Sequence, residues 1–206
     1  MRCLMCGKPM SKETFADLFR EEDVLCADCR DGWKRIRRNF RFQGKKAFVL
    51  YEYNAAFSSC LLQFKECGDE ALKTAFLYPD RGMLRRMYHG RTLLLMPSSE
   101  EKERERGFSH LKELFEGVGL PMMEPFLKTG EQSQKSLGRK ERRKMSRGIL
   151  LKPGIALPHR GVLADDVITT GSTMRGALSV LPEGLDLRIF ACALTPSRTS
   201  EDFLNA

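Results

Sequence analysis

No stretch of this 206-residue chain is apolar for long enough to cross a membrane. The first ten residues, MRCLMCGKPM, lack the apolar core of a secretory signal, so a cytoplasmic protein is expected. No cysteine falls between Cys29 and Cys60, and no acidic residue falls between Trp33 and Lys46. The first gap limits a cysteine-bound metal to a single N-terminal site. The second leaves a run of positive charge with no local partner. Hydrophobic content of 42% and charged content of 30% are ordinary for a globular protein, and the length suits one full core plus a small appendage. Thirty-five Lys and Arg against 27 Asp and Glu give a net charge of +8. An anionic partner fits that balance, which does not identify it.

The cysteines that are present cluster. CLMC (Cys3 to Cys6) and CADC (Cys26 to Cys29) are two CxxC knuckles. Each presents two thiolates from a tight turn, and two such turns close a tetrahedral site around Zn²⁺. A unit of residues 1–32 is too short to bury much core, so the metal would supply its folding energy. Four thiolates leave no position for substrate, and the site reads as structural. Cys60, Cys67 and Cys192 have no second cluster to join and are expected to pack as small residues.

Residues 33–46, WKRIRRNFRFQGKK, hold seven Lys or Arg with Trp33, Phe40 and Phe42 interleaved. Two readings fit. Trp33, Lys34, Arg35, Arg37 and Arg38 could hold single-stranded nucleic acid, with charges on phosphates and the ring under a base. The segment could equally be a basic linker with its aromatics packed on a main domain of residues 47–206.

That domain reads as alternating strands and helices. Strands are expected near Phe48–Tyr53, Leu93–Met96 and Leu187–Leu194, with helices over 55–66 and 69–77 and from about Phe108. At its centre stands VLADDVITTGSTM, Val162 to Met174. A short apolar strand runs into Asp165 and Asp166, and then into the hydroxyl-rich turn Thr169, Thr170, Gly171, Ser172, Thr173 before a helix. Turns at the carboxyl ends of parallel strands are where ligands bind. Free N–H groups and hydroxyls at a helix start suit a phosphate monoester, and the two carboxylates suit neutral hydroxyls beside it.

Over its whole length this stretch resembles the phosphoribosyl pyrophosphate (PRPP) motif of type I phosphoribosyltransferases. The resemblance implies an α/β fold with a mainly parallel sheet. It gives Asp165 and Asp166 the ribose hydroxyls, makes Thr169 to Thr173 the 5′-phosphate cup, and brings Mg²⁺ with PRPP. Thr169 stands where purine-salvage members carry an Asp, which argues against purine salvage. Ser98 and Ser99, after the strand that ends at Pro97, are expected to offer donors to the pyrophosphate, and Arg104 and Arg106 to clamp it.

FKECGD with Lys65, RERGF (Arg104 to Phe108) and QKSL…ERR (Gln134 to Arg143) resemble, in order, elements of the ComF family. So do the N-terminal knuckles. The polar segment 128–147, with seven basic residues and one acid from Lys135 to Arg147, resembles the mobile lid of these transferases. Membership would imply a competence role in DNA uptake, with incoming single-stranded DNA and a helicase-like ATPase as partners. Phosphoribosyl transfer from PRPP, non-catalytic DNA binding and PRPP sensing all stay open.

Overall fold

The computed structural model describes residues 1–10, 23–98, 100–128 and 148–196. Helix α1 spans Ala27–Asp31, directly after Cys26. Strands β1 (Arg35–Phe42) and β2 (Lys45–Glu52) form a hairpin. Its two turn residues, Gln43 and Gly44, have φ of 45° and 73°. Two successive positive φ values match the right-handed twist of the strands they join.

Helix α2 (Ala55–Glu66) buries Phe57, Cys60, Leu61 and Phe64, spaced three and four apart on one face. Asn54 caps it, its side chain accepting from the Phe57 N–H. Short helices α3 (Lys73–Leu77) and α4 (Arg81–Met87) lead to β3 (Thr92–Leu95). Then come α5 (Glu100–Arg106), α6 (His110–Glu116), β4 (Met122–Met123) and β5 (Phe126–Lys128). The last elements are β6 (Ile149–Leu151), β7 (Arg160–Ile168), α7 (Ser172–Val180) and β8 (Asp186–Leu194).

Six strands form one sheet in the order β1-β2-β8-β7-β3-β4. Every neighbouring pair is parallel except β1 with β2. Strands β5 and β6 pair separately. The inner strands are buried along continuous runs, as in a sheet covered on both faces: Ala47 to Tyr51 in β2, and Val162 to Ala164 in β7. The α/β class and the mainly parallel sheet are as expected.

The aromatics of 33–46 pack on the main domain, as the linker reading expects, but the segment is no separate linker. These residues enter the sheet as its antiparallel edge, because alternate side chains Phe40 and Phe42 face the core. Trp33 is 4% exposed, with its ring 4.8 Å from Phe57, 5.2 Å from Phe76 and 5.3 Å from Tyr51. A ring so enclosed offers no face to a nucleic-acid base. The polar run Glu100–Arg106 forms α5. Cys60 and Cys192 are buried, whereas Cys67 is exposed just after α2.

Candidate functional site

Strand β7 is central, with β8 on one side and β3 on the other, so its carboxyl end opens between covered faces. Successive strand residues point to opposite faces. The acidic pair therefore divides. Asp165 is half-buried and accepts the Asp166 N–H at 3.0 Å. Asp166 is buried and ion-paired to Lys65 at the end of α2, and it accepts from His110 Nε2 at 3.2 Å. The sequence reading gave both carboxylates the same task, but in the structure they have different surroundings.

His110 is 5% exposed at the head of α6. Its Nδ1 lies 3.4 Å from Ser98 Oγ and 3.3 Å from an Arg106 nitrogen. Both neighbours can donate, so a neutral ring with its proton on Nε2 satisfies every contact. Burial, with Lys65 and Arg106 nearby, lowers the His110 pKa against the opposing pull of Asp166. Burial works to raise the Asp166 pKa. The His110 hydrogen bond and the Lys65 charge outweigh it and hold Asp166 well below the usual carboxylate range. Asp165 goes the other way: burial first, then the Asp166 charge, push it up.

Arg106 is directed inward. Its guanidinium donates to Glu66 at 2.7 Å and sits against His110, so it braces the cluster from behind instead of facing the β7 loop. Arg104 is exposed on α5. Ser98 is half-buried after β3, and Ser99 lies outside the described residues, as does 129–147 with the expected lid.

The hydroxyl turn is open. Thr169, Thr170 and Ser172 are exposed and Thr173 half-buried. The Thr170 hydroxyl lies 3.0 Å from that of Ser172 and accepts the Ser172 N–H at 3.3 Å. Arg175 fixes the turn from below by donating to the Thr170 carbonyl at 2.9 Å. Gly171 has a φ of 71°, and a Cβ there would come within 2.6 Å of the Phe42 ring. The glycine is thus required twice, by its backbone and by the β1 side chain packed on it.

At the N-terminus, Cys3, Cys6, Cys26 and Cys29 place their four sulfurs within 4.8 Å of one another. Zn–S bonds of about 2.3 Å in a tetrahedron put sulfurs roughly 3.8 Å apart, so the donor set fits Zn²⁺. Burial and the neighbouring thiols raise the Cys29 pKa. Four thiols this close need a cation to ionise together. The unit is anchored by Arg30, which pairs with Asp23 at 2.5 Å, donates to the Ala75 carbonyl at 2.8 Å and lies over Trp33.

Of the basic residues expected to meet nucleic acid, three are already paired. Arg35 and Arg37 reach the buried Asp80 at 2.9 and 2.6 Å, and Lys34 reaches Glu52 at 2.6 Å. Arg38 is exposed. His110 and Glu66 were missed. A histidine heading an apolar helix is visible in sequence, but its partner lies 56 residues on. No helix among the described residues is long and apolar enough to cross a membrane.

The fold and site define an α/β protein with a mainly parallel sheet, whose central strand carries an acidic pair near its carboxyl end and leads to a hydroxyl-lined helix start, behind a four-cysteine N-terminal unit. The chain is similar along most of its length to two proteins named Competence protein ComFC. One, from Streptococcus pneumoniae, is 26% identical over 89% of this chain and 94% of its own. The other, from Bacillus subtilis, is 29% identical over 88% of this chain and 71% of its own. The resemblance to the ComF family thus extends well beyond the motifs. No family model matches the chain. Among solved structures, an adenine phosphoribosyltransferase from Leishmania tarentolae aligns at 14% identity over 73% of this chain and 91% of its own, with a TM-score of 0.33. That score is too low to bear on the fold.

Proposed function

We propose that this chain binds PRPP, or a related ribose 5-phosphate, at the carboxyl end of β7, and works in competence, as the name of its relatives suggests, with DNA uptake as its task. One observation carries the reading. A half-buried carboxylate, Asp165, stands near the carboxyl end of the central strand, which leads to exposed hydroxyls at a helix start. Asp165 takes ribose hydroxyls, and Thr169 to Thr173 take the 5′-phosphate. Ser98 and the backbone after Pro97 face the pyrophosphate, with Arg104 as its clamp. Mg²⁺, bound with PRPP, would supply charge neutralisation, and an oxygen donor such as Asp165 suits it.

Two modes of action follow. Turnover would move ribose 5-phosphate to an acceptor with release of pyrophosphate. The alternative is a PRPP-sensing protein without turnover. The engagement of Asp166 by Lys65 and His110 favours the second, since it leaves Asp165 as the one carboxylate of the pair on hand. Single-stranded DNA remains the proposed macromolecular partner. Its contacts shift from Trp33 and the paired arginines toward Arg38 and the basic residues 135–147. A helicase-like ATPase would be the protein partner.

Calorimetry with Mg²⁺-PRPP, with and without single-stranded DNA, tests the reading, alongside a pyrophosphate-release assay. Saturable PRPP binding that is lost in Asp165→Asn is expected. Absence of PRPP binding by the wild-type chain would overturn it. Steady pyrophosphate release would decide for turnover.

A further inference from the structure

A second cationic site lies away from the acidic pair, where the parallel strands begin. A hollow of about 480 Å³ is lined by Arg41, Lys45 and Lys46 from the hairpin and by Arg91, Arg160 and Arg188 from the starts of β3, β7 and β8. Six cations face one carboxylate, Asp186. That acid is claimed by Arg91 at 2.5 Å and by Arg160 at 3.4 Å. Arg41, Lys45, Lys46 and Arg188 have no carboxylate partner among the described residues. Elsewhere the chain pairs its crowded charges: Asp80 meets two arginines, and Lys73 meets Glu113 and Glu116. Convergent like charges repel and cost stability. A convergence of cations in a hollow that the described carboxylates only partly neutralise therefore suits an anionic ligand.

The site is also built. Arg41 donates to the Gly44 carbonyl at 2.8 Å, which holds it across the hairpin turn. Arg188 donates to the Met87 carbonyl at 3.1 Å, and Arg91 is nearly fully buried and held on the Asp186 carbonyl at 2.8 Å. None of the described residues lies within 4 Å of where a Gly44 Cβ would stand, which leaves the backbone there open to a ligand from their side.

We infer that this hollow binds a compact polyphosphate group, such as the triphosphate of a nucleotide or inorganic tripolyphosphate. Guanidinium and ammonium groups suit clustered phosphate oxygens. The volume suits a small ligand. Among the described residues no aromatic side chain lines it, so they offer no stacking platform of the kind single-stranded nucleic acid uses. The inference is independent of PRPP binding, since it uses none of the β7 loop residues.

The test is calorimetry with sodium tripolyphosphate at low ionic strength on the full chain. Compared with wild type, Lys45→Gln with Lys46→Gln should weaken binding by about tenfold or more, because charge-assisted contacts are lost. Thr170→Val with Ser172→Ala, in the loop, should leave it within about twofold, because the loop contributes no contact here. Should the double lysine variant fold poorly, Lys46→Gln and Arg160→Gln singly, both at exposed positions, carry the same expectation. No binding by wild type at millimolar tripolyphosphate, unchanged binding in the hairpin variants, or loss confined to the loop variant would each overturn the inference. A short oligothymidylate that displaces tripolyphosphate at equal phosphate concentration would transfer the site to nucleic acid.

Discussion

Asp165 and Asp166 are adjacent in sequence, and the strand gives them opposite electrostatics. Asp165 has a raised pKa, so its charged form is disfavoured in the fold. The sign follows: stability is fullest below the unfolded carboxylate value of 3.8 and is lost as pH rises through the raised folded value. Asp165→Asn should therefore raise the urea midpoint at about pH 8 and change it little at about pH 4. The same variant should lose ribose binding, a stabilisation gained at the cost of function. Asp166 behaves oppositely, its stabilising share being lost as pH falls below that of an ordinary carboxylate. Lys65→Met would leave Asp166 as a buried charge with only the His110 hydrogen bond and should cost about 3–5 kcal/mol by chemical denaturation. Adding Asp166→Asn should recover part of that loss. Equal stability of Lys65→Met and wild type would mean the pair carries no weight.

Among the elements, β1 is the one whose role changed most between sequence and structure. Its charges read as a nucleic-acid tract, but its placement depends on Asp80, which takes Arg35 and Arg37, and on the aromatic cluster that encloses Trp33. Trp33→Ala should destabilise the chain by about 3–5 kcal/mol, as for a large core ring removed. Trp33→Phe, with much of the packing kept, should leave the salt dependence of DNA binding unchanged in fluorescence anisotropy. A weakened DNA affinity in a fully folded Trp33→Phe protein would return the ring to the nucleic-acid interface. Helix α2 shows the reverse case. Its bounds, 55–66, were legible because its apolar residues recur at a spacing that matches one helical face.

At the scale of the whole molecule, the four-cysteine unit and the sheet are joined through Arg30 and Trp33. Trp33 is the only tryptophan, so its fluorescence reports that junction alone. Elemental analysis should give close to one zinc per chain. Chelation should release it and shift the emission to longer wavelength, as water reaches the ring. An unchanged spectrum after full metal removal would show that the junction holds without the metal.

What the sequence determined by itself is local chemistry at short spacing. The two CxxC knuckles announced a four-thiolate site, and the run from Val162 to Thr173 announced a strand, an acidic pair and a hydroxyl turn at a helix start. Apolar periodicity placed α2, and the alternation of strands and helices gave the α/β class. Tertiary structure decided everything that depends on partners distant in the chain. It divided the acidic pair by joining Asp166 to Lys65 and His110, turned Arg106 inward onto Glu66, and buried Trp33. It also gathered Arg41, Lys45, Lys46, Arg91, Arg160 and Arg188 into one hollow from five strand ends. The physical reason is the same in each case. Composition states how many charges and rings a chain has. Whether a charge is neutralised or a ring is wet depends on which residues the sheet order brings beside it.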